Sequence, residues 1–240
     1  VNTKEAEEIL NDCLMNGIAK ELFFADHTKA LAVTIGKHSS AINSKGFGDL
    51  FGSLQNILSD HQTLAVAKIY DPPSKRYPTR SIPAMLSLIE RHSSLWSLPQ
   101  RHTLERLIVD DGHHPSTVQH MDNQQLSLAV VSHFNRTIPH RDKAGHCSLS
   151  SALETVREAR DKVHAHNEAI DKAARKMPTW GGVESLVNYA KDFACVISFG
   201  FLSLYLGNRS KDYLLGTDAR QLSRKMEKML VMANLNDDST

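Results

Sequence analysis

Residues 148–170, SLSSALETVREARDKVHAHNEAI, constrain this chain more than any other stretch. Leu149, Leu153, Val156, Val163 and Ile170 recur at steps of three, four or their sums, the buried stripe of an amphipathic helix. Arg160 falls on that stripe, where Leu or Ile would be expected. Arginine is almost never fully buried unless it is paired, so a stripe arginine requires an anionic partner or an opening in the packing. Asp161 follows it directly, and His164 and His166 lie less than two turns on. A cationic fork beside imidazoles suits a phosphate-bearing ligand. The function of the chain is therefore expected on this helix.

The remaining sequence predicts further helices and no sheet. Residues 3–20 read as a helix, with Thr3 at the N-cap and Glu5, Glu7 and Glu8 suiting the positive end of its dipole. A second helix is predicted over 21–37, followed by the loop-like HSSAINSKGFG at 38–48. Over 49–70, Leu50, Leu54, Ile57, Leu58, His61, Leu64 and Ala65 share one face. That face is predicted to be buried, with His61 as a hydrogen-bonded core histidine. Asp71-Pro72-Pro73 stops the helix.

Ser81-Ile82-Pro83 opens a shorter helix. Residues 100–110 and 121–134 are predicted as helices inside a less regular segment, 93–147. Lys176-Met177-Pro178 breaks the chain, Thr179 caps a long buried helix over 180–206, and Gly207-Asn208 stop it. A last helix runs over 215–233. Residues 148–175 and 180–206 are expected to pack as antiparallel neighbours of one bundle. The expected fold class is all-α: one helical domain over 1–240, with 93–147 a less regular helical insertion or small subdomain.

Charge and cysteine usage narrow the function classes. The net charge of +1 provides no global field to attract nucleic acid. RNA binding therefore needs a local patch, such as Arg157, Arg160, Lys162 and Lys172. Cys13, Cys147 and Cys195 form no CxxC pair, so neither a disulfide framework nor a zinc knuckle is indicated, and a reducing, cytoplasmic setting is expected. The most apolar run, FACVISFGFLSLYL at 193–206, is shorter than the ~20 residues that span a bilayer. No membrane association is expected.

An arginine followed by a histidine after four to six intervening residues occurs at Arg106–His113, Arg141–His146, Arg157–His164 and Arg160–His166. About two such pairs are expected by chance, and the first two fall in loops. The last two overlap on the central helix. At ~100° per residue, His164 lies over Arg160 and nearly over Arg157, whereas His166 is displaced by about 120°. A straight helix thus favours Arg157, Arg160 and His164 as the cluster. A bend or a second copy is needed to bring His166 to Arg160. The competing structural reading is an ion-pair network with Glu154, Glu158 or Asp161. The other histidines make no HExxH motif, and there is no Gly-rich phosphate loop or GxSxG elbow. Neither a metal nor another cofactor is expected. Trp180, Tyr189 and Phe193 read as core.

At RDKVHAHNE, residues 160–168, the sequence resembles the HEPN superfamily, particularly its AbiU-type branch associated with abortive phage infection. SDHQTLAVAKIYDPP at 59–73, SIPAMLSLIE at 81–90 and Trp180 after the motif stand in the matching order, over roughly 46–206. The resemblance implies an α-helical bundle of the HEPN type that often dimerises through its motif helices, bringing two Arg/His sets together across a two-fold axis. The family motif is an arginine, usually a polar residue, then a histidine after four to six intervening positions. Arg160, Asp161 and His166 match it.

The resemblance further implies a metal-independent endoribonuclease used as a toxin or phage-defence effector. His166 would act as general acid or base, Arg160 would hold the scissile phosphate, and Asp161 would orient Arg160 or the imidazole. Arg157, Lys162 and His164 would bind substrate. Implied partners are RNA, a second copy of the chain and an antitoxin. Two alternatives stand beside this reading: a non-catalytic HEPN-like module binding RNA, nucleotide or protein, and a structural helical dimerisation protein.

Overall fold

The most apolar stretch of the chain becomes its central helix. The computed structural model describes residues 2–74, 76, 78–138, 148–161, 178–207 and 216–236. Its α-helices, in chain order, begin with α1 (Thr3–Cys13), α2 (Lys20–Lys37), α3 (Ser39–Ser44), α4 (Gly48–Ile69) and α5 (Ile82–Arg91). They continue with α6 (Arg101–Asp110), α7 (Pro115–Gln119), α8 (Asn123–Thr137), α9 (Ser148–Glu158), α10 (Trp180–Leu202) and α11 (Gly216–Met232). No strand occurs among the described residues, so the fold is all-α as the sequence predicts. Among those residues no helix is long and apolar enough to cross a membrane.

α10 buries Val183, Leu186, Val187, Ala190, Phe193, Ala194, Ile197 and Phe201. Thr179 caps it by accepting a hydrogen bond from the Gly182 amide. The helix ends at Leu202 rather than at 206, because Ser203 takes a left-handed conformation with φ 54°. Leu10 of α1, Met85 of α5, Leu104 and Ile108 of α6, and Leu126, Val130 and Phe134 of α8 share one core cluster with α10. The segment predicted to be least regular is thus helical where described. α7 is added inside DDGHHPS, where the His114 ring caps the helix and Pro115 occupies its first turn.

α1 and α2 form one continuous rod joined by a π-helical segment, Leu14–Ala19. Such widening carries no sequence signal of its own. Its physical setting is a close approach: a Cβ on Gly17 would lie 2.4 Å from Arg80 Cβ. The far end of α2 then packs with α3, α4 and α11 around a second, smaller cluster of Ala32, Ile35, Ile42, Phe51, Leu58, Leu230 and Leu235. The predicted loop at 38–48 is corrected here, since α3 forms within it and buries Ile42. Buried His38 holds α11 through Glu227, Nε2 to Oε1 at 2.6 Å.

The predicted buried face of α4 also needs correction. Leu50 is 64% exposed and Ile57 63%. The inward residues are Phe51, Leu58, Gln62, Thr63, Ala65, Val66, Ala67 and Ile69. His61 is exposed, its ring edge-on to Phe24 at 5.4 Å, and is no core histidine. α4 carries apolar residues around most of its circumference. Periodicity alone therefore selects a face without saying which one the core covers.

Candidate functional site

The described part of α9 follows the predicted stripe, with Leu153 and Val156 buried and Leu149 packed against the core; Ala159, just past its end, is buried as well. At residues 159–161 the α-helix widens into a π turn, a local device frequent at functional sites. Arg160 sits in that turn with its side chain 25% exposed. Its Nε donates to Asp161 Oδ1 at 2.7 Å, and its Nη1 donates to Asp71 Oδ1. One turn earlier, Arg157 Nη2 donates to the Tyr70 carbonyl at 2.8 Å. Two arginines of α9 thus clasp the C-terminal end of α4.

That end of α4 is a natural place for cations. The last carbonyls of a helix lack intrahelical partners and carry the negative end of its dipole. Pro72 and Pro73 prevent the chain from satisfying them by continuing the helix. Asp71 adds a carboxylate at the same point. Tyr70 anchors the corner from beneath. It is fully buried, and its hydroxyl donates to the Leu186 carbonyl of α10 at 2.7 Å. Burial, followed by the neighbouring Tyr189 ring at 6.3 Å, pushes its phenol well above the ordinary tyrosine range.

Partial burial of the Arg160 guanidinium works against its charge. Asp161 and Asp71 outweigh that penalty and hold its pKa above the ordinary arginine value. The result is a fixed, charged fork at the protein surface. Two of its donors engage carboxylates, and an arginine has five. An incoming phosphate can add to this arrangement or displace one of the carboxylates.

Arg157, Arg160 and Asp161 are therefore brought to one corner. Lys162, His164 and His166 lie outside the described residues, as does the remainder of the predicted helix to 175. The π turn changes the angular argument, since 100° per residue does not hold through a π segment. The straight-helix preference for His164 over His166 consequently does not carry past Asp161. Asp71 and Tyr70 were missed as site residues, because IYDPP reads locally as a helix stop. Their contacts with Arg160 and Arg157 join positions 89 and 87 residues apart. Among the aromatic residues predicted as core, Phe193 is fully buried, but Trp180 is 49% exposed at the start of α10.

An all-α domain with an arginine-bearing motif helix set against the end of a second long helix is the architecture to be matched. A family model described as AbiU2, of the HEPN_AbiU2 type, matches residues 19–213, which include this corner and the whole of the Arg–His motif. The chain belongs to the AbiU2 family of HEPN domains. No curated protein and no solved structure matches it.

Proposed function

We propose that this AbiU2 family member is a metal-independent endoribonuclease acting as a toxin or phage-defence effector. The observation that carries the reading is Arg160, the arginine of the family motif, held charged and surface-accessible by Asp71 and Asp161. In the proposed reaction a ribose 2′-OH attacks the adjacent phosphorus and the P–O5′ bond breaks. The products are a 2′,3′-cyclic phosphate and a 5′-OH end. One proton leaves the 2′-OH and one reaches the departing O5′. His166 performs one of these transfers, for which an unperturbed pKa of ~6.5 is suitable.

Arg160 binds the phosphate oxygens and stabilises the charge that develops on them. Asp161 orients Arg160, while Arg157, Lys162 and His164 bind flanking substrate. A homodimer pairing the motif helices supplies a second Arg/His set across the axis. The proposal includes a single domain, a cytoplasmic setting and an antitoxin partner.

One observation favours a second reading. Both carboxylates already engage Arg160, as suits a non-catalytic binding module in which the clasp is structural. Labelled RNA incubated with the purified chain in EDTA separates the two. Cyclic-phosphate product ends are expected; binding without cleavage would replace the enzyme with the module.

A further inference from the structure

The C-terminal end of α10 and one face of α6 enclose a cavity of about 380 Å³, within the range of small-ligand sites, roughly 300–1,000 Å³. The two helices approach closely because α10 carries Gly200 there: a Cβ at that position would lie 2.4 Å from Leu104 Cδ2 of α6. α6 buries Leu104, Leu107 and Ile108, and its His102, Thr103 and Arg106, neighbours on one helical face, line the cavity. Beyond α10 the chain turns back sharply. Ser203 takes φ 54°, an unfavourable conformation for an L-residue. The Leu204 amide donates to the Ser198 carbonyl at 2.9 Å, and Gln100 Nε2 donates to Ser203 Oγ at 3.0 Å. This turn sets the Tyr205 ring against Phe199, centroids 6.2 Å apart and planes at 82°. His102 meets Phe199 at 6.3 Å and 90°. Strained backbone of this kind clusters at ligand clamps.

We propose that this cavity binds a small aromatic anion, a planar ring bearing a phosphate or a carboxylate. The ring lies among Tyr205, Phe199 and His102, where it gains from the face of one neighbour and the edge of the next. The anionic group takes the Arg106 guanidinium, whose fork matches a phosphate or carboxylate with two parallel hydrogen bonds. Arg106 is exposed and pairs with no carboxylate among the described residues, so its donors are left for a ligand. Charge separates this cavity from its neighbour. No carboxylate lines it among the described residues, whereas Asp110, Asp111 and Asp192 line a second cavity that shares only Leu107 and Val196 with the first. A bare anion would leave the three rings unused, and an uncharged ring would leave Arg106 unused. Phe199 stands about 20 Å along α10 from Leu186, which Tyr70 contacts, so the cavity is separate from the arginine corner.

Titration calorimetry on the full chain provides the test, with adenosine monophosphate as the aromatic phosphate and indole-3-carboxylate as the aromatic carboxylate. Saturable binding of at least one is expected, and the one that binds names the anion. Inorganic phosphate and the uncharged rings, adenosine and indole, are expected to bind at least about tenfold more weakly. Arg106→Ala is expected to weaken binding by about tenfold or more, and Tyr205→Ala by roughly fivefold to a hundredfold. Both side chains are exposed, so unchanged far-ultraviolet circular dichroism is expected. Arg91→Ala, the same loss of charge at the end of α5, and Arg160→Ala are expected to bind as the parent does. No saturable binding of either anion up to millimolar concentration would overturn the proposal, as would phosphate binding as tightly as adenosine monophosphate. Equal weakening by Arg91→Ala, or loss of binding in Arg160→Ala rather than in Arg106→Ala, would overturn it too. Should Tyr205→Ala unfold, Arg106→Ala alone decides. RNA takes no part in these measurements, so failure of the ribonuclease reading leaves them unaffected.

Discussion

The two ends of α4 are finished in opposite ways. At the C-terminal end the Tyr70 carbonyl accepts from Arg157, Asp71 pairs with Arg160, and the Tyr70 hydroxyl donates to Leu186. At the N-terminal end Phe47, Leu50 and Ile57 are exposed, while Leu54 beside them packs against the smaller cluster. Removing polar groups from water without a partner is costly, so the buried polar corner is satisfied within the chain. An exposed apolar stripe imposes no comparable penalty on one copy, yet it marks a surface that gains by being covered. One end is therefore closed by polar pairing within the chain, and the other leaves apolar side chains in water.

The largest test of this contrast is at the polar end. Arg160→Ala and His166→Ala are each expected to abolish RNA cleavage, or growth arrest on expression, while the chain stays folded. Loss of a general acid or base reduces the rate by roughly 10²–10⁴, and loss of a transition-state cation by a similar order. His164→Ala is the control and is expected to be mild. Cleavage by all three variants at the parental rate would remove catalysis from this helix and leave the arginine clasp purely structural.

Tyr70→Phe gives the next effect, on stability. The change deletes a buried hydrogen bond to the Leu186 carbonyl, which keeps its own intrahelical partner in α10, at about 0.5–1.5 kcal/mol. The pH dependence has a definite sign. Because the folded phenol's pKa is raised, its stabilising contribution is fully present below ~10, the unfolded value. It is lost as pH rises further, when the unfolded chain releases the proton and the folded chain does not. Urea unfolding should show parental stability falling faster than that of the variant, by up to about 1.4 kcal/mol per pH unit. A constant gap between the two proteins across that range would mean that Tyr70 is not buried as described.

These two residues also show how far the sequence was readable. The all-α class, the α10 core helix and the helices within 93–138 follow from apolar periodicity and from caps such as Thr179. An arginine on the α9 stripe announced an anionic partner, and adjacent Asp161 was among the candidates. Asp71 was not, because a contact across 89 residues has no local signature. The π segments at Leu14–Ala19 and at 159–161 were also unread, since such widening leaves no signature in the apolar spacing. On α4 the error was one of facing. Leu50 and Ile57 lie on the most periodic face, but the core takes the adjacent one.

Asp71→Asn asks whether the polar end shields Arg160 or positions it. The pair is partly exposed, at 25% and 27%, so its contribution to stability is small, roughly 0–1 kcal/mol. With one carboxylate neutralised, Arg160 keeps Asp161 and gains freedom toward phosphate. RNA binding in a His166→Ala background is expected to tighten by at most about fivefold at low salt, with the gain shrinking as salt rises. Weaker binding would instead make Asp71 a positioning residue.

The smallest expected effect is at the apolar end, where its sign carries the argument. Gly52→Ala places a Cβ where nothing lies within 4 Å, so it meets no obstacle in a single copy. Removing a mid-helix glycine should stabilise the folded chain by about 0.5–1 kcal/mol, partly by restricting the unfolded state. Thermal unfolding at low protein concentration should therefore improve, and an unchanged or lowered midpoint would mean that neighbouring atoms already fill the space beside Gly52.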